Sequence, residues 1–330
     1  TEVVLVMRDG DDPLLTANPA NTVGPQEYRA IYNEFWYRVG NAVLNHNSQD
    51  TTEFSSNRFQ VEMMRDLISR LSELVLVGQP DLRAASTMGI WQLAISCMER
   101  TVELEQKLQV ATRQSKASSK AQNRKLQAVK HSMDAWKRNK AELEEIVESS
   151  AFQGVFIHRY RDSNPHIRVE SLTTLSRISI LRPDLFLRDK YLKYFGWMAS
   201  DKEANVRVAA LSGLLAPFRE VAKQKANGPA SLAIDVANLR NVCTKFLNRF
   251  IDCTEDAQST EVQELAMELL LAMLQNEFLD DWEDDDGWDQ INLKAMDERT
   301  TPKVRRDALY FILEQLSSFD PDDDNRSSMS

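Results

Sequence analysis

One recurring phrase constrains the fold more than anything else in the chain. Near 165 and again near 204, an acid-bearing turn leads into an apolar residue, an arginine and a helix rich in Ala and Leu. The first copy reads Ile167-Arg168, the second Val206-Arg207. The copies lie about 40 residues apart, the period of stacked helical hairpins of the HEAT type. Val262-Gln263 and Val304-Arg305 repeat the phrase after intervals of about 56 and 42 residues, the longer one holding a Lys- and Gly-containing stretch, 223–237, read as a loop. With only ten Gly and ten Pro in 330 residues, a loop-rich β fold is disfavoured. The expected fold is all-α: an irregular, curved α-solenoid of hairpins, armadillo-like in architecture.

Taken in order, 1–24 is a short apolar run, VVLVM, followed by a polar, Pro-containing loop. Gln26 to Leu44 places Tyr28, Ile31, Tyr32, Phe35, Trp36, Val39 and Val43 on one helical stripe. A polar linker is expected over 46–57, a helix from Arg58 to Leu76, and another starting at Asp81-Leu82-Arg83. Residues 101–150 lack Gly and Pro and read as a long helix or bent helix pair, partly projecting. Pro165 opens a helix through Leu181, and Pro183-Asp184 breaks it. Tyr191, Tyr194, Phe195 and Trp197 share the next helix, and Asp201 caps the one after. Leu239–Ile251, Ser259–Leu274 and Thr300–Phe319 read as helices, and DDWEDDDGWDQ as an acidic loop. For Trp282 and Trp288 in that loop two readings stand: a segment that orders on a basic partner, or plain packing on the solenoid edge. The expected divisions are 1–150, 151–238, 239–319 and an acidic, Ser-rich tail over 320–330.

Chemistry is sparse. There is no phosphate-cradling Gly loop, no GxSxG and no HExxH, and the four His show no metal or triad pattern. The chain is read as a non-enzyme without cofactor or metal. His158 is assigned a structural hydrogen-bonding role. Cys97, Cys243 and Cys253 have no ligand spacing and suit a reducing intracellular compartment. No apolar run approaches the roughly 20 residues of a membrane span. The net charge of −10 argues against general nucleic-acid affinity, but the charges are segregated. Arg113, Lys116, Lys120, Arg124, Lys125, Lys130, Lys137 and Arg138 run with Asp134 as the single acid among them. Such a stripe reaches phosphate oxygens without reading bases. A solvated helix face is the bland alternative. Arg168, Lys202 and Arg207 would extend the basic surface.

VFIHRYRD at 155–162 and DLFLRDKYLKYFGWMASDKEANVR at 184–207 resemble the stromalin conservative domain of the SA/stromalin subunit of cohesin, the ring complex that holds sister chromatids together. FLNRFIDC at 246–253 and the stretch from Pro13 to Val43 resemble flanking parts of that family. A whole stromalin is about three times longer, so the resemblance implies part of an N-terminal half. It implies a nuclear, chromosome-bound scaffold with three kinds of partner: the kleisin subunit, double-stranded DNA, and regulator proteins carrying a short aromatic-x-Phe motif. By the same resemblance Tyr160, Trp197, Arg249 and Phe250 would line the peptide- and kleisin-binding surface. Without the resemblance those aromatics read as inter-repeat core. The rival reading is a HEAT-repeat peptide-binding adaptor with no DNA role.

Overall fold

The computed structural model describes residues 25–45, 53–117, 123–227 and 234–317. The VVLVM run, Lys120, most of the expected linker and the C-terminal tail fall outside them. Every regular element among the described residues is helical, and the chain divides into two compact units, Thr1–Leu181 and Arg182–Ser330.

In the first unit α1 (Pro25–Leu44), α2 (Glu53–Val75), α3 (Pro80–Ala117) and α4 (Asn123–Ile146) are followed by a π-helical stretch (Val147–Phe156), the short α5 (Ile157–Arg159) and α6 (Pro165–Leu181). Helix α3 is central: Ile90, Trp91, Leu93, Ala94, Ile95, Cys97 and Met98 are all buried. A helix apolar on every side must be surrounded, and α1, α2, α4 and α6 all pack on it. Gly40 lets α1 approach closely, because a Cβ there would meet the Ser96 side chain on α3. Of the two readings for 101–150, a long helix or a bent helix pair, the structure has a pair of helices, with α4 folded back along α3 rather than projecting. A stripe of Leu104, Leu108 and Ala111 on α3 buries apolar surface that a projecting helix would leave in water.

The second unit holds α7 (Pro183–Phe186), α8 (Asp189–Met198), α9 (Ala204–Asn227), a 3₁₀ turn (Val236–Leu239), α10 (Arg240–Lys245), α11 (Leu247–Cys253), α12 (Thr260–Leu274), α13 (Asp285–Leu293) and α14 (Pro302–Ser317). Three expectations are corrected here. Helix α9 runs through Pro217 to Asn227, so the first five residues of the expected 223–237 loop are helix. The helix expected at 239–251 is broken at Phe246, whose backbone leaves the helical region while its ring lies against Gly196. The acidic loop contains α13, started by Asp284, whose side chain accepts from the Gly287 N–H. Trp282 and Trp288 pack together there with ring centroids 4.8 Å apart, and Trp288 reaches Phe311 of α14.

The recurring phrase has a common geometry. Asp162 accepts from the Asn164 N–H, and Arg168 Nη1 donates back to the Asp162 carbonyl at 2.8 Å. Asp201 accepts from the Glu203 N–H, and Arg207 Nη1 reaches the Asp201 carbonyl at 2.6 Å. Asp256 accepts from the Gln258 N–H, and Gln263 Nε2 reaches its carbonyl at 2.7 Å. In each case the aspartate closes the turn and the next helix clamps it from inside. Two of the aspartates are also tied to the preceding hairpin. Arg83 stands 3.0 Å from the Asp162 carboxylate in the first unit, and Arg207 2.6 Å from that of Asp256 in the second. Arg168 and Arg207 are buried by this duty. They are therefore removed from the basic surface the sequence suggested, whereas Lys202 remains exposed.

Candidate functional site

Helices α3 and α4 carry the expected basic set. Their antiparallel pairing brings Arg113 and Lys137, 24 positions apart in sequence, to one groove of about 540 Å³. Both side chains are exposed. Lys140 lines the same groove, but its ammonium lies 2.5 Å from Glu105 and 3.7 Å from Glu144. Arg138, one residue beyond Lys137, turns to a different groove between α2 and α4, beside Arg58 and Arg65. Helix rotation of about 100° per residue splits the neighbours. Lys130 is exposed on α4. Lys116 lies in α3, and Arg124 and Lys125 lie in α4. The side chains of these three are outside the described set, as is all of Lys120.

Tyr160 belongs to the first unit. It ends a ladder of rings one helical turn apart: Phe152 stacks on Phe156 at 4.9 Å and Phe156 on Tyr160 at 6.0 Å, both with interplanar angles of 14°. The π-helical stretch supplies Phe152 and Phe156. Tyr160 is 5 % exposed, with the Arg161 guanidinium 5.1 Å over its ring. His158 is exposed.

The other three expected residues belong to the second unit. Helix α8 turns Tyr191, Tyr194 and Phe195 inward and leaves Trp197 40 % exposed. Tyr194 braces the indole edge-on at 5.3 Å, and the Lys193 ammonium sits over both rings, 5.2 Å from that of Trp197. Arg249 is brought to the same edge. Its Nη1 donates to the Gly196 carbonyl at 3.2 Å, and its guanidinium lies 5.1 Å over Phe246. Gly196 is required there, since a Cβ would overlap the Phe246 ring. Phe250, next to Arg249, is 0 % exposed and belongs to the α11–α12 core. An exposed, braced indole with the Lys193 cation over it, and Arg249 on the neighbouring Gly196 carbonyl, can bury an aromatic side chain and hold a carbonyl or carboxylate beside it. Sequence reasoning missed Lys193, which the i, i+4 spacing to Trp197 gives directly.

The thiols are chemically quiet. Burial pushes Cys97 and Cys243 up to about 12 and Cys253 to about 11, far from the thiolate range of a nucleophile. Among the described residues no cluster of His, Cys, Asp or Glu could hold a metal ion, and no helix is long and apolar enough to cross a membrane.

Residues 161–227 match the stromalin conservative domain. The chain is similar to the cohesin subunit SA-1 of Xenopus laevis, 29 % identical over 157 residues that make up 46 % of this chain and 12 % of that protein. Similarity to sister-chromatid cohesion protein 3 of Arabidopsis thaliana is 29 % over 201 residues, 60 % of this chain and 17 % of that protein. The solved cohesin subunit Scc3 from Z. rouxii, residues 88–1035, shares the fold with a TM-score of 0.72 at 17 % identity, over 96 % of this chain and 34 % of that one. The matched region thus spans under a fifth of these two relatives' length. Trp197, Tyr194 and Lys193 all fall within the matched domain. By sequence and fold together, the chain carries a stromalin conservative domain and has the cohesin SA/Scc3 subunits as its relatives.

Proposed function

We propose that this chain acts as a non-catalytic scaffold of the cohesin SA/Scc3 kind in sister chromatid cohesion, working on chromosomes in the nucleus. The observation that carries the reading is the exposed Trp197 indole, braced by Tyr194, with Lys193 over it and Arg249 on the neighbouring Gly196 carbonyl. It lies in the stretch that matches the stromalin conservative domain. This surface takes short peptides with an aromatic-x-Phe core from regulators, and contributes to docking of the kleisin subunit. Tyr160 and Phe250 support the two units from within and do not touch the peptide. Duplex DNA is held without sequence preference by phosphate contacts from the α3–α4 hairpin. Arg113, Lys130, Lys137 and Arg138 form its described part, and Lys116, Lys120, Arg124 and Lys125 continue the set in sequence.

Binding to a fluorescent mixed-sequence duplex across a salt series tests the DNA half. Arg113 and Lys137 changed together to Glu should lower affinity about tenfold at low salt and flatten the salt slope, since each lost phosphate contact removes about one unit of slope. An intact chain that ignores the duplex at low salt overturns it. A labelled peptide with an aromatic-x-Phe core tests the other half, with Trp197→Ala expected to abolish capture. One observation favours the adaptor without a DNA role. Glu105 and Glu144 line the same groove as Arg113 and Lys137 and neutralise Lys140.

A further inference from the structure

A separate polar groove of about 370 Å³ opens among α1, α3 and α6 of the first unit. None of the basic or aromatic residues discussed above lines it. On its floor Gln92 is 8 % and Thr174 4 % exposed. Both line the groove. Buried amides and hydroxyls are nearly always satisfied, and leaving one bare is costly. Asn33 Oδ1, from the α1 side, is a buried acceptor without a donor. Glu170 of α6 adds a carboxylate that accepts no hydrogen bond from a described residue. Burial raises its carboxyl, and the charge of Arg29 partly offsets this. Arg177, the cation that lines the groove, is already engaged: it lies 2.6 Å from Glu99 and 5.6 Å over the Tyr37 ring. The Tyr37 hydroxyl donates to the same Glu99 at 2.7 Å. The groove therefore holds a carboxylate with no cation in contact, Glu170, and a bare acceptor, Asn33 Oδ1, with the Gln92 amide lining the same space.

A peptide bearing Arg or Lys serves both, because its side chain is cationic and its backbone has an N–H and a C=O at each residue. A polyamine supplies the cation without the carbonyls, and a nucleic acid has the wrong sign. We propose that this groove seats an arginine or lysine side chain of a partner peptide, with its cation on Glu170 and its flanking backbone amides on Gln92 and Asn33. The site is independent of the Trp197 surface and of phosphate contacts on α3–α4, and takes a partner of opposite charge to DNA.

The test is calorimetric titration of the whole chain with acetyl-Ala-Ala-Arg-Ala-Ala-amide, beside the same peptide with citrulline in place of arginine. Citrulline keeps the shape and removes the charge. The arginine peptide should bind, and citrulline should weaken it about tenfold, as loss of a charge-assisted bond does. Glu170→Gln should weaken the arginine peptide about as much while leaving the thermal midpoint equal or higher, because a buried unpaired charge is removed. The exposed control Glu298→Gln should change nothing, which separates the site from general attraction to an acidic protein. Equal binding of the two peptides, unchanged affinity in Glu170→Gln, or no heat at millimolar arginine peptide would each overturn the proposal. Displacement by equimolar spermidine would overturn its peptide part.

Discussion

The α3–α4 hairpin of the first unit and the α8–α11 edge of the second both carry cations, and they hold them differently. On the hairpin the charges come from one long run, which antiparallel packing distributes over two grooves. Arg113 and Lys137 share one groove, Arg138 faces the other, and Lys140 is neutralised by Glu105. At the α8–α11 edge the cations are few, but each lies over a ring: Lys193 over Trp197 and Tyr194, Arg249 over Phe246. A long charge run counts for less than its sequence length suggests, because a helix sends consecutive residues to different faces. Lys193, Tyr194 and Trp197, neighbours within about one turn of α8, stay together.

The largest effect that sharpens this contrast lies within the aromatic set. Phe250→Ala should cost about 3–5 kcal/mol in urea unfolding, the usual price of a large cavity. Trp197→Ala should cost about 1 kcal/mol or less, as a half-exposed side chain does, while losing peptide capture. A comparable loss from both would make Trp197 core and break the comparison.

Next comes the buried turn aspartate. Removing Asp162 strands Arg83 and Arg159, so Asp162→Ala should destabilise by about 3–5 kcal/mol. The pH dependence follows. Burial raises the Asp162 carboxyl, but the Asn164 N–H and the guanidinium groups of Arg159 and Arg83 more than offset it and hold it below the ordinary range. A lowered folded value gives stability that is complete above the unfolded carboxylate value of about 3.9 and is lost as pH falls through the folded value. In acid unfolding between about pH 5 and about pH 2, wild type should therefore lose more stability than Asp162→Asn. Parallel curves for the two proteins would show that the carboxylate contributes nothing through its charge.

Smaller effects probe the cations one at a time. Lys140→Gln should leave DNA affinity within about twofold, because a paired ammonium releases few counterions, whereas the Arg113 and Lys137 pair carries the salt dependence. Lys193→Ala should weaken peptide capture by only a few-fold, about the 0.5–1 kcal/mol of an exposed cation–π contact. An equal loss from Lys140→Gln and the double reversal would show that the groove acts as an undivided charge field.

Much of the fold is legible from local rules. Pro165 and Pro80 open helices, Asp162, Asp201 and Asp256 close turns, and the apolar-Arg phrase marks where each inner helix starts. Less legible were the break at Phe246, helix α13 and the course of α9 past Pro217, because each is set by packing between elements distant in sequence. The Gly196–Phe246 contact has no local signature, and neither does the Trp282–Trp288–Phe311 cluster. The candidate site divides in the same way. Lys193 and Trp197 follow from spacing on one helix, while Arg249 joins them only through its bond to the Gly196 carbonyl across 53 residues.

The sequence by itself determined that this chain is helical, that its helices pair into hairpins near a 40-residue period, and that it resembles the stromalins. Those properties rest on propensity, capping and short-range periodicity, which are written residue by residue. Only the tertiary structure decided which charged and aromatic side chains reach the surface. Arg168 and Arg207 were drawn into turn clamps, Phe250 into the core, and Gln92, Thr174 and Glu170 onto one groove. A side chain's exposure depends on what packs over it from elsewhere in the chain, and no local pattern encodes that.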